Sequence, residues 1–423
     1  MSKKTTTTPG GASPGAAADA PAPSPIFSAL EALAREQIQH MLQGLLEDEV
    51  TAFLGRAKSD RRDTAAGGYR NGHGRPRRVT LLGGTVTVRR PRVRGLGERF
   101  ESRLLPFFQR QTPNVVELLH QGYLHGMATG DFELALRHLL GDGAPLSRAS
   151  LVRLTERWQA EYEAWRAQSL DALEVVYWWA DGLYVRAGLG SGKACLLVII
   201  GALSDGTKTV LAVESGERES AESWLRVLRD LQARGLRAPK LVVADGHLGL
   251  WGAVGALYPA SAEQRCWTHR MRNVLDHVPA AARAEVTGWL RQLLYAPTRA
   301  ACEQLRARFA ARYRERHPKA VAALERDWAR LVTYFDFPSE HWRHLRTSNV
   351  VESPFAAVRL RTSAAKRFRR VERATAMIWK VLCVAERAFR TLNAPHRCRE
   401  VYQDYRFHDG EPAADPTTES AAA

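Results

Sequence analysis

Cysteine is scarce in this sequence and shows no pairing. Cys195, Cys266, Cys302, Cys383 and Cys398 are an odd, scattered five among 423 residues, which argues against a disulfide framework and suits a reducing cytoplasm. Long apolar runs are lacking too. The longest, Ala194 to Leu203, falls well short of the roughly 20 residues that a bilayer-spanning helix needs, and the chain does not start with a charged-then-apolar signal. A soluble, cytoplasmic protein with no membrane partner is expected. Large apolar side chains are nearly missing from residues 1–25 and again from 409–423, so neither end can offset chain entropy by burial. A disordered leader and a disordered tail are expected there. Negative charge is also short: 61 Lys and Arg face 45 Asp and Glu, a formal charge of +16. The excess gathers at Arg75 to Arg94 and Arg359 to Arg373. A GC-rich coding bias explains abundant arginine but not its clustering, so a polyanionic partner is expected.

What is present suffices for two or three domains, each with its own core. Apolar residues recur at helical spacing from Ile26 to Leu54, ending at Gly55. Gly67 to Gly72 reads as turn chemistry, and Val79 to Arg90 as two short strands around Gly83-Gly84. Helices are expected at Val115–His125, Gly130–Leu140 and Ser147–Gln168, with a break at Gly141 to Pro145 and Ser147 as a cap. Part of this stretch has the form of a helix-turn-helix. Downstream, Glu174–Val185, Lys193–Leu203 and Thr209–Glu214 read as an antiparallel meander. A helix at Ser220–Arg234, a strand at Lys240–Ala244, a helix at Gly249–Leu257, a strand around Arg265–Thr268 and a helix from Met271 follow. That order predicts an α/β ribonuclease-H-like catalytic core preceded by a mainly α-helical DNA-binding region. The expected boundaries are 26–168 for the N-terminal region, 169–274 for the first part of the core, 275–340 for a helical insertion and 341–408 for the last part.

Three carboxylates stand out. Asp181 lies within a strongly apolar strand, where a carboxylate is unfavourable unless paired or metal-bound. Asp245 follows Leu241-Val242-Val243-Ala244, at a strand end where ligands gather in such sheets. Glu352 follows Ser348 and Asn349, either of which can cap a helix running on through Phe355 and Val358. Taken singly, each has an ordinary explanation as a turn, cap or dipole residue. On that fold Asp181 and Asp245 lie on neighbouring strands; three carboxylates brought within a few ångströms repel one another, and divalent magnesium with its preference for hard oxygen removes that cost. Two such ions suit phosphodiester cleavage and transfer. Cys266-Trp267-Thr268-His269 is half of a zinc pattern, but no second close Cys or His pair stands elsewhere, so zinc is not expected. A buried cysteine beside a bonded histidine and a role at the site both remain open for this pair.

These blocks, in this order, resemble the Mutator-type transposases of bacterial insertion sequences over roughly Ile26 to Arg390. The similarity runs through Phe53-Leu54-Gly55-Arg56, Gly68-Tyr69-Arg70-Asn71-Gly72, Asp181-Gly182-Leu183-Tyr184-Val185, Glu222-Ser223-Trp224, Asp245-Gly246-His247, Gln264 to Asn273 and Arg346 to Glu352. The resemblance implies an Asp-Asp-Glu triad at Asp181, Asp245 and Glu352 that holds two Mg2+ ions, with Mn2+ able to substitute, and a role for His269 in catalysis or at the DNA near the cut. It also implies cleavage at terminal inverted repeats, strand transfer into double-stranded target DNA, a homodimer on that DNA and a place in the bacterial nucleoid. Arg346, Arg359, Arg361, Lys366 and Arg367 are the expected DNA contacts. Ser348 and Ser353 depart from the threonine and basic residue that many relatives carry, so the resemblance does not carry DNA contacts or sequence preference over to those two positions. A nuclease of the same fold and an inactive or regulatory DNA-binding protein are the competing readings.

Overall fold

The computed structural model describes residues 25–60, 67–105, 110–128, 131–132, 140, 148–188, 193–216 and 218–413. The expected leader, most of the expected Gly130–Leu140 helix and the expected Gly141–Pro145 break lie outside them. The chain forms two compact units, Met1–Leu119 with Phe132–Leu146, and His120–Asp131 with Ser147–Ala423.

In the first unit, helix α1 (Pro25–Leu54) buries Leu46 and Val50, and the apolar cluster around Leu46 includes Val79, Val86 and Val88. Strands β2 (Arg77–Leu81) and β3 (Gly84–Val88) form an antiparallel hairpin, and their alternating burial points one face at that cluster. The polar side of α1 holds the backbone in place: Gln39 Oε1 and Gln43 Oε1 accept the N–H groups of Thr87 and Arg89, at 3.0 and 2.9 Å. The turn chemistry expected at Gly67 to Gly72 is in part a strand. β1 (Tyr69–His73) pairs antiparallel with β4 (Pro91–Arg94), with an irregular register between Arg70 and His73. Gly72 takes φ +65° at that irregularity, which is how a glycine-bearing segment joins a ladder. Arg75, Arg78, Arg89, Arg92 and Arg94 are exposed on this unit.

The second unit is built on a five-stranded mixed sheet. β5 (Val175–Arg186), β6 (Lys193–Leu203) and β7 (Lys208–Gly216) run antiparallel, while β8 (Leu241–Ala244) and β9 (Ala262–Arg265) lie parallel to β5 on its other side. The spatial order is β7-β6-β5-β8-β9. The central strand is buried on both faces, so its run Val175 to Ala180 is continuously apolar rather than alternating. Trp178 and Ala180 pack with α4 (Ala221–Ala233) and α5 (Leu248–Leu257). Tyr177 and Trp179 belong to the opposite core, with Trp158 and Tyr162 of α3 (Arg148–Arg166). Burying one such aromatic side chain contributes about 2 to 3 kcal/mol. Helix α3, grouped by sequence with the N-terminal region, therefore packs on the sheet, and the Tyr162 hydroxyl donates to the Val213 carbonyl at 2.8 Å.

Two local expectations are corrected. The strand expected at Arg265–Thr268 ends at Arg265, and Trp267 already opens α6 (Trp267–Leu275) with Cys266 in the N-cap position. The tail expected to be disordered from residue 409 begins instead with a hairpin. Phe407–His408 pairs with Glu411–Pro412, and Asp409 and Gly410 take φ +47° and +86°, the signature of a type I′ turn.

Candidate active site

Helices α7 (Arg283–Leu294), α8 (Arg299–Tyr313), α9 (Pro318–Glu325), α10 (Trp328–Leu331) and α11 (Trp342–Leu345) separate β9 and α6 from the short α12 (Asn349–Glu352), whose Glu352 comes back to the sheet. The sheet register brings the two aspartates together. Ala180 of β5 lies opposite Ala244 of β8 in parallel pairing, so Asp181 and Asp245 are the next residues along two adjacent strands. Asp181 pairs across β6 with Val198, and its Oδ1 accepts the Gly182 N–H at 2.8 Å. Asp245 Oδ1 accepts the His247 N–H at 2.9 Å. Gly246 has φ +93°, and a Cβ there would run into the Arg265 guanidinium, so glycine is required for the turn that presents Asp245. Arg265 is itself held by Asp327 at 2.8 Å, which also takes Arg270 at 3.1 Å.

Sequence reasoning missed a fourth carboxylate. Glu219 precedes the Ser220 cap of α4, and its side chain occupies the space a Cβ on Gly182 would need. A lone glutamate before a cap serine carries no distinguishing signal. Burial pushes the Asp181 carboxyl up to about 7, and the charges of Asp245, Glu352 and Glu219 push the same way. Burial and then the Asp245 charge raise Glu219 as well. This is a site with surplus negative charge and hard oxygen donors.

Glu352 is positioned differently. The Trp267 N–H donates to the Arg346 carbonyl at 2.9 Å, and the Ser348 N–H meets the Cys266 sulfur at 3.3 Å. Those two bonds fasten the segment before Glu352 to the start of α6. Meanwhile the Cys266 N–H donates to the Ala244 carbonyl at 2.7 Å, so Cys266 joins the Asp245 strand end to the Glu352 helix. The helix expected to run on through Val358 is split: α12 stops at Glu352 and α13 spans Phe355–Ala365, because Pro354 has no N–H to continue the ladder. Ser348 does not cap through its side chain; its hydroxyl donates to Glu352 Oε1 instead. His269 Nδ1 lies 3.9 Å from the same Oε1. The Cys266 side chain beside it carries the His269 imidazole up to about 9 against the pull of burial, with Glu352 and Asp245 adding to the rise. Burial raises the Cys266 thiol, but the His269 and Ser348 partners outweigh it and hold the thiol below its ordinary value. Among the described residues, the group of three ligating side chains whose donor atoms all lie within 4.8 Å of one another is Cys266, His269 and Glu352.

The expected DNA-contacting residues divide. Arg359, Lys366 and Arg367 are exposed, and Arg367 donates through Nε to the Gly188 carbonyl at 3.1 Å. Arg361 is corrected: it is 2% exposed, donates to the Tyr123 and Met127 carbonyls and stacks on Tyr123 at 3.8 Å. It clamps the end of α2 (Pro113–Leu124) to α13 and does not face solvent. Arg346 is half-buried against the rings of Tyr295, Tyr334 and Trp342 at 5.5, 4.8 and 5.2 Å. These cation–π contacts hold the Glu352 segment against the helical insertion.

Comparison with known proteins gives the class. The profile described as "Transposase, Mutator family" matches residues 18–391. The chain is 40% identical over 301 residues to the transposase for insertion sequence element IS6120 of Mycolicibacterium smegmatis, which spans 71% of this chain and 93% of that protein. It is also 40% identical over 281 residues to the transposase for insertion sequence element IST2 of Acidithiobacillus ferrooxidans, at 66% of this chain and 95% of that one. The chain belongs to the Mutator family of transposases. The solved strand transfer complex of the Drosophila P element transposase is a distant likeness, with a TM-score of 0.30 and 12% identity over 69% of this chain and 85% of that one. No helix among the described residues is long and apolar enough to cross a membrane.

Proposed function

We propose that this transposase cuts DNA at the inverted-repeat ends of an insertion sequence and joins the freed 3′-hydroxyl to target DNA, on a ribonuclease-H-like core. Asp181, Asp245 and Glu352 would hold two magnesium ions, with manganese as an acceptable substitute. The observation that carries the reading is that Asp181 and Asp245 each directly follow the paired Ala180 and Ala244 of two adjacent parallel strands, and that the Asp181 carboxyl is pushed up to about 7 by burial and by its acidic neighbours. The order of three antiparallel strands followed by two parallel ones supports the fold assignment. The donor set fits: hard carboxylate oxygens with unneutralised charge suit Mg2+. When bound, the ions supply a polarised water or 3′-hydroxyl and charge neutralisation at the leaving oxygen.

The chain's own groups do the rest. A His269 imidazolium beside Glu352 can donate a proton or a hydrogen bond to a phosphate oxygen. Exposed Arg359, Lys366 and Arg367 bind backbone phosphate near the cut, and the basic face of the first unit binds the element ends. Two ends in inverted repeat call for a homodimer on double-stranded DNA. The test is isosteric: Asp181→Asn, Asp245→Asn and Glu352→Gln should each abolish cleavage and strand transfer while end binding and folding survive. Normal transfer in any one of them removes that residue from the triad. Lost end binding together with a lowered melting temperature would support a structural role instead. A nuclease without strand transfer would cut but fail to join a pre-cut end.

A further inference from the structure

We propose that Cys266, His269 and Glu352 form a second metal site, one that takes zinc(II) and, when filled, withdraws Glu352 from the aspartate pair. The geometry comes first. The three donor atoms lie within 4.8 Å of one another, and His269 Nδ1 is 3.9 Å from Glu352 Oε1. Tetrahedral zinc with bonds of about 2.0 to 2.3 Å sets its ligand atoms roughly 3.3 to 3.8 Å apart. Closing the cluster around an ion therefore needs movements of about 1 Å or less, within reach of side-chain rotation.

The surroundings favour a ligand. His269 Nδ1 is buried, and the ring's partners here are the Cys266 side chain and the Glu352 carboxylate, so the imidazole directs a nitrogen into the cluster. The Ser348 N–H already points at the Cys266 sulfur at 3.3 Å, an outer-shell donor of the kind that steadies a metal-bound thiolate. Cys266 and His269 stand one turn apart at the start of α6, so their spacing is fixed by the helix. Donor chemistry decides the ion: a thiolate with an imidazole and a carboxylate suits zinc, whereas magnesium avoids sulfur. Three protein ligands leave a fourth position for water, the pattern of an open site rather than a closed structural one. Sequence spacing gave no second pair of ligands; the third ligand arrives only because the helical insertion returns Glu352 to Cys266.

Zinc bound to Glu352 would occupy an oxygen and neutralise the charge that this carboxylate offers beside Asp181. Zinc in this site would act as a brake on the magnesium-dependent reaction, and only that consequence rests on the triad reading; zinc binding itself does not. The test uses full-length protein stripped of metal, with cobalt(II) as the spectroscopic probe for zinc. One cobalt per chain should bind with an intense thiolate-to-cobalt charge-transfer band, and zinc should displace it. Cys266→Ser should lose the band and His269→Gln should weaken binding by about tenfold or more, while Asp181→Asn and Asp245→Asn should bind as the parent does. Since Cys266 is buried and its variant can misfold, a sulfur ligand seen by X-ray absorption of the zinc-loaded parent gives the same information without a substitution. Cobalt bound with no charge-transfer band, or no stoichiometric binding at all, overturns the site. In a second arm, one equivalent of zinc should suppress end cleavage in excess magnesium, and chelation should restore it. A filled site with undiminished cleavage overturns the brake, whereas absence of cleavage in magnesium alone counts against the triad and leaves the cobalt result standing.

Discussion

The two halves of the candidate site are held in place by different means. Asp181 and Asp245 directly follow Ala180 and Ala244, which the ladder pairs; Asp181 accepts the N–H of Gly182 within its own strand, and Asp245 accepts that of His247 in the turn after β8. Glu352 sits at the end of a four-residue helix cut off by Pro354, and its carboxylate is turned to the Ser348 hydroxyl and to His269. Backbone hydrogen bonds of a buried sheet break only when the sheet opens, whereas a side-chain rotamer changes on a nanosecond scale. The strand-borne half is fixed by the sheet, whereas the helix-borne carboxylate is held by side-chain contacts. On the readings proposed above, this one glutamate is common to the magnesium triad and the zinc site.

The comparison breaks most sharply if the rigid half is disturbed. Gly246→Ala forces a side chain onto φ +93° and into the Arg265 guanidinium, which is engaged with Asp327. Left-handed strain and a disrupted buried ion pair together should cost about 2 to 4 kcal/mol of stability. Chemical denaturation should show this as a lower midpoint, with strand transfer lost as Asp245 is displaced. A neutral outcome would mean that the turn relaxes and the aspartate is not held by it.

A smaller change of opposite sign tests the strain itself. Asp181 has a folded-state value of about 7 against an ordinary 3.8. Because the folded state keeps its proton longer than the unfolded state, metal-free stability falls as pH rises from about 4 to 7 and is flat above that. Asp181→Asn removes this term. Three pKa units correspond to about 4 kcal/mol at most, and partial solvent screening lowers the expected gain to about 1 to 2 kcal/mol. The variant should therefore melt higher than the parent at pH 8 without metal, match it near pH 4, and lose its advantage when magnesium is added to the parent. Equal melting temperatures across that range would mean that the carboxyl is not strained.

Much of the rigid half was legible because its causes are local. Continuous apolar runs identify strands buried on both faces, and Ser220 fixes the start of α4, where its side chain accepts the Ser223 N–H. Where the sequence misled, a distant partner had decided the outcome. Cys266-Trp267-Thr268 has strand-like side chains, yet the Cys266 N–H makes the last rung to the Ala244 carbonyl, the Trp267 N–H goes to the distant Arg346 carbonyl, and the chain turns into α6. Arg359 and Arg361 look alike in sequence, but two positions on a helix are about 200° apart, so one is exposed and the other is buried against Tyr123. Glu219 and the Cys266–His269–Glu352 grouping involve contacts between segments far apart in the chain, and no spacing rule reveals those.

The finest test of the comparison lies in one hydroxyl. Ser348 Oγ donates to Glu352 Oε1, a charge-assisted bond that fixes the carboxylate beside His269, from where its charge still raises Asp181. A magnesium ion held through Oε1 would have to compete with this hydroxyl for the oxygen. Such bonds contribute about 1.5 to 3 kcal/mol, but the new metal–oxygen contact and residual rotation recover part of that, leaving a net bias on the order of 1 kcal/mol, or about fivefold in an equilibrium constant. Ser348→Ala should therefore lower the magnesium concentration that half-saturates end cleavage by about fivefold. Ser348→Thr, which keeps the hydroxyl, should not move it. Because Ser348 is buried, both variants need a melting control; a general loosening of the segment would raise the magnesium requirement in both rather than lower it in one. If the alanine variant needs as much magnesium as the parent, the hydroxyl does not compete for the glutamate's oxygen.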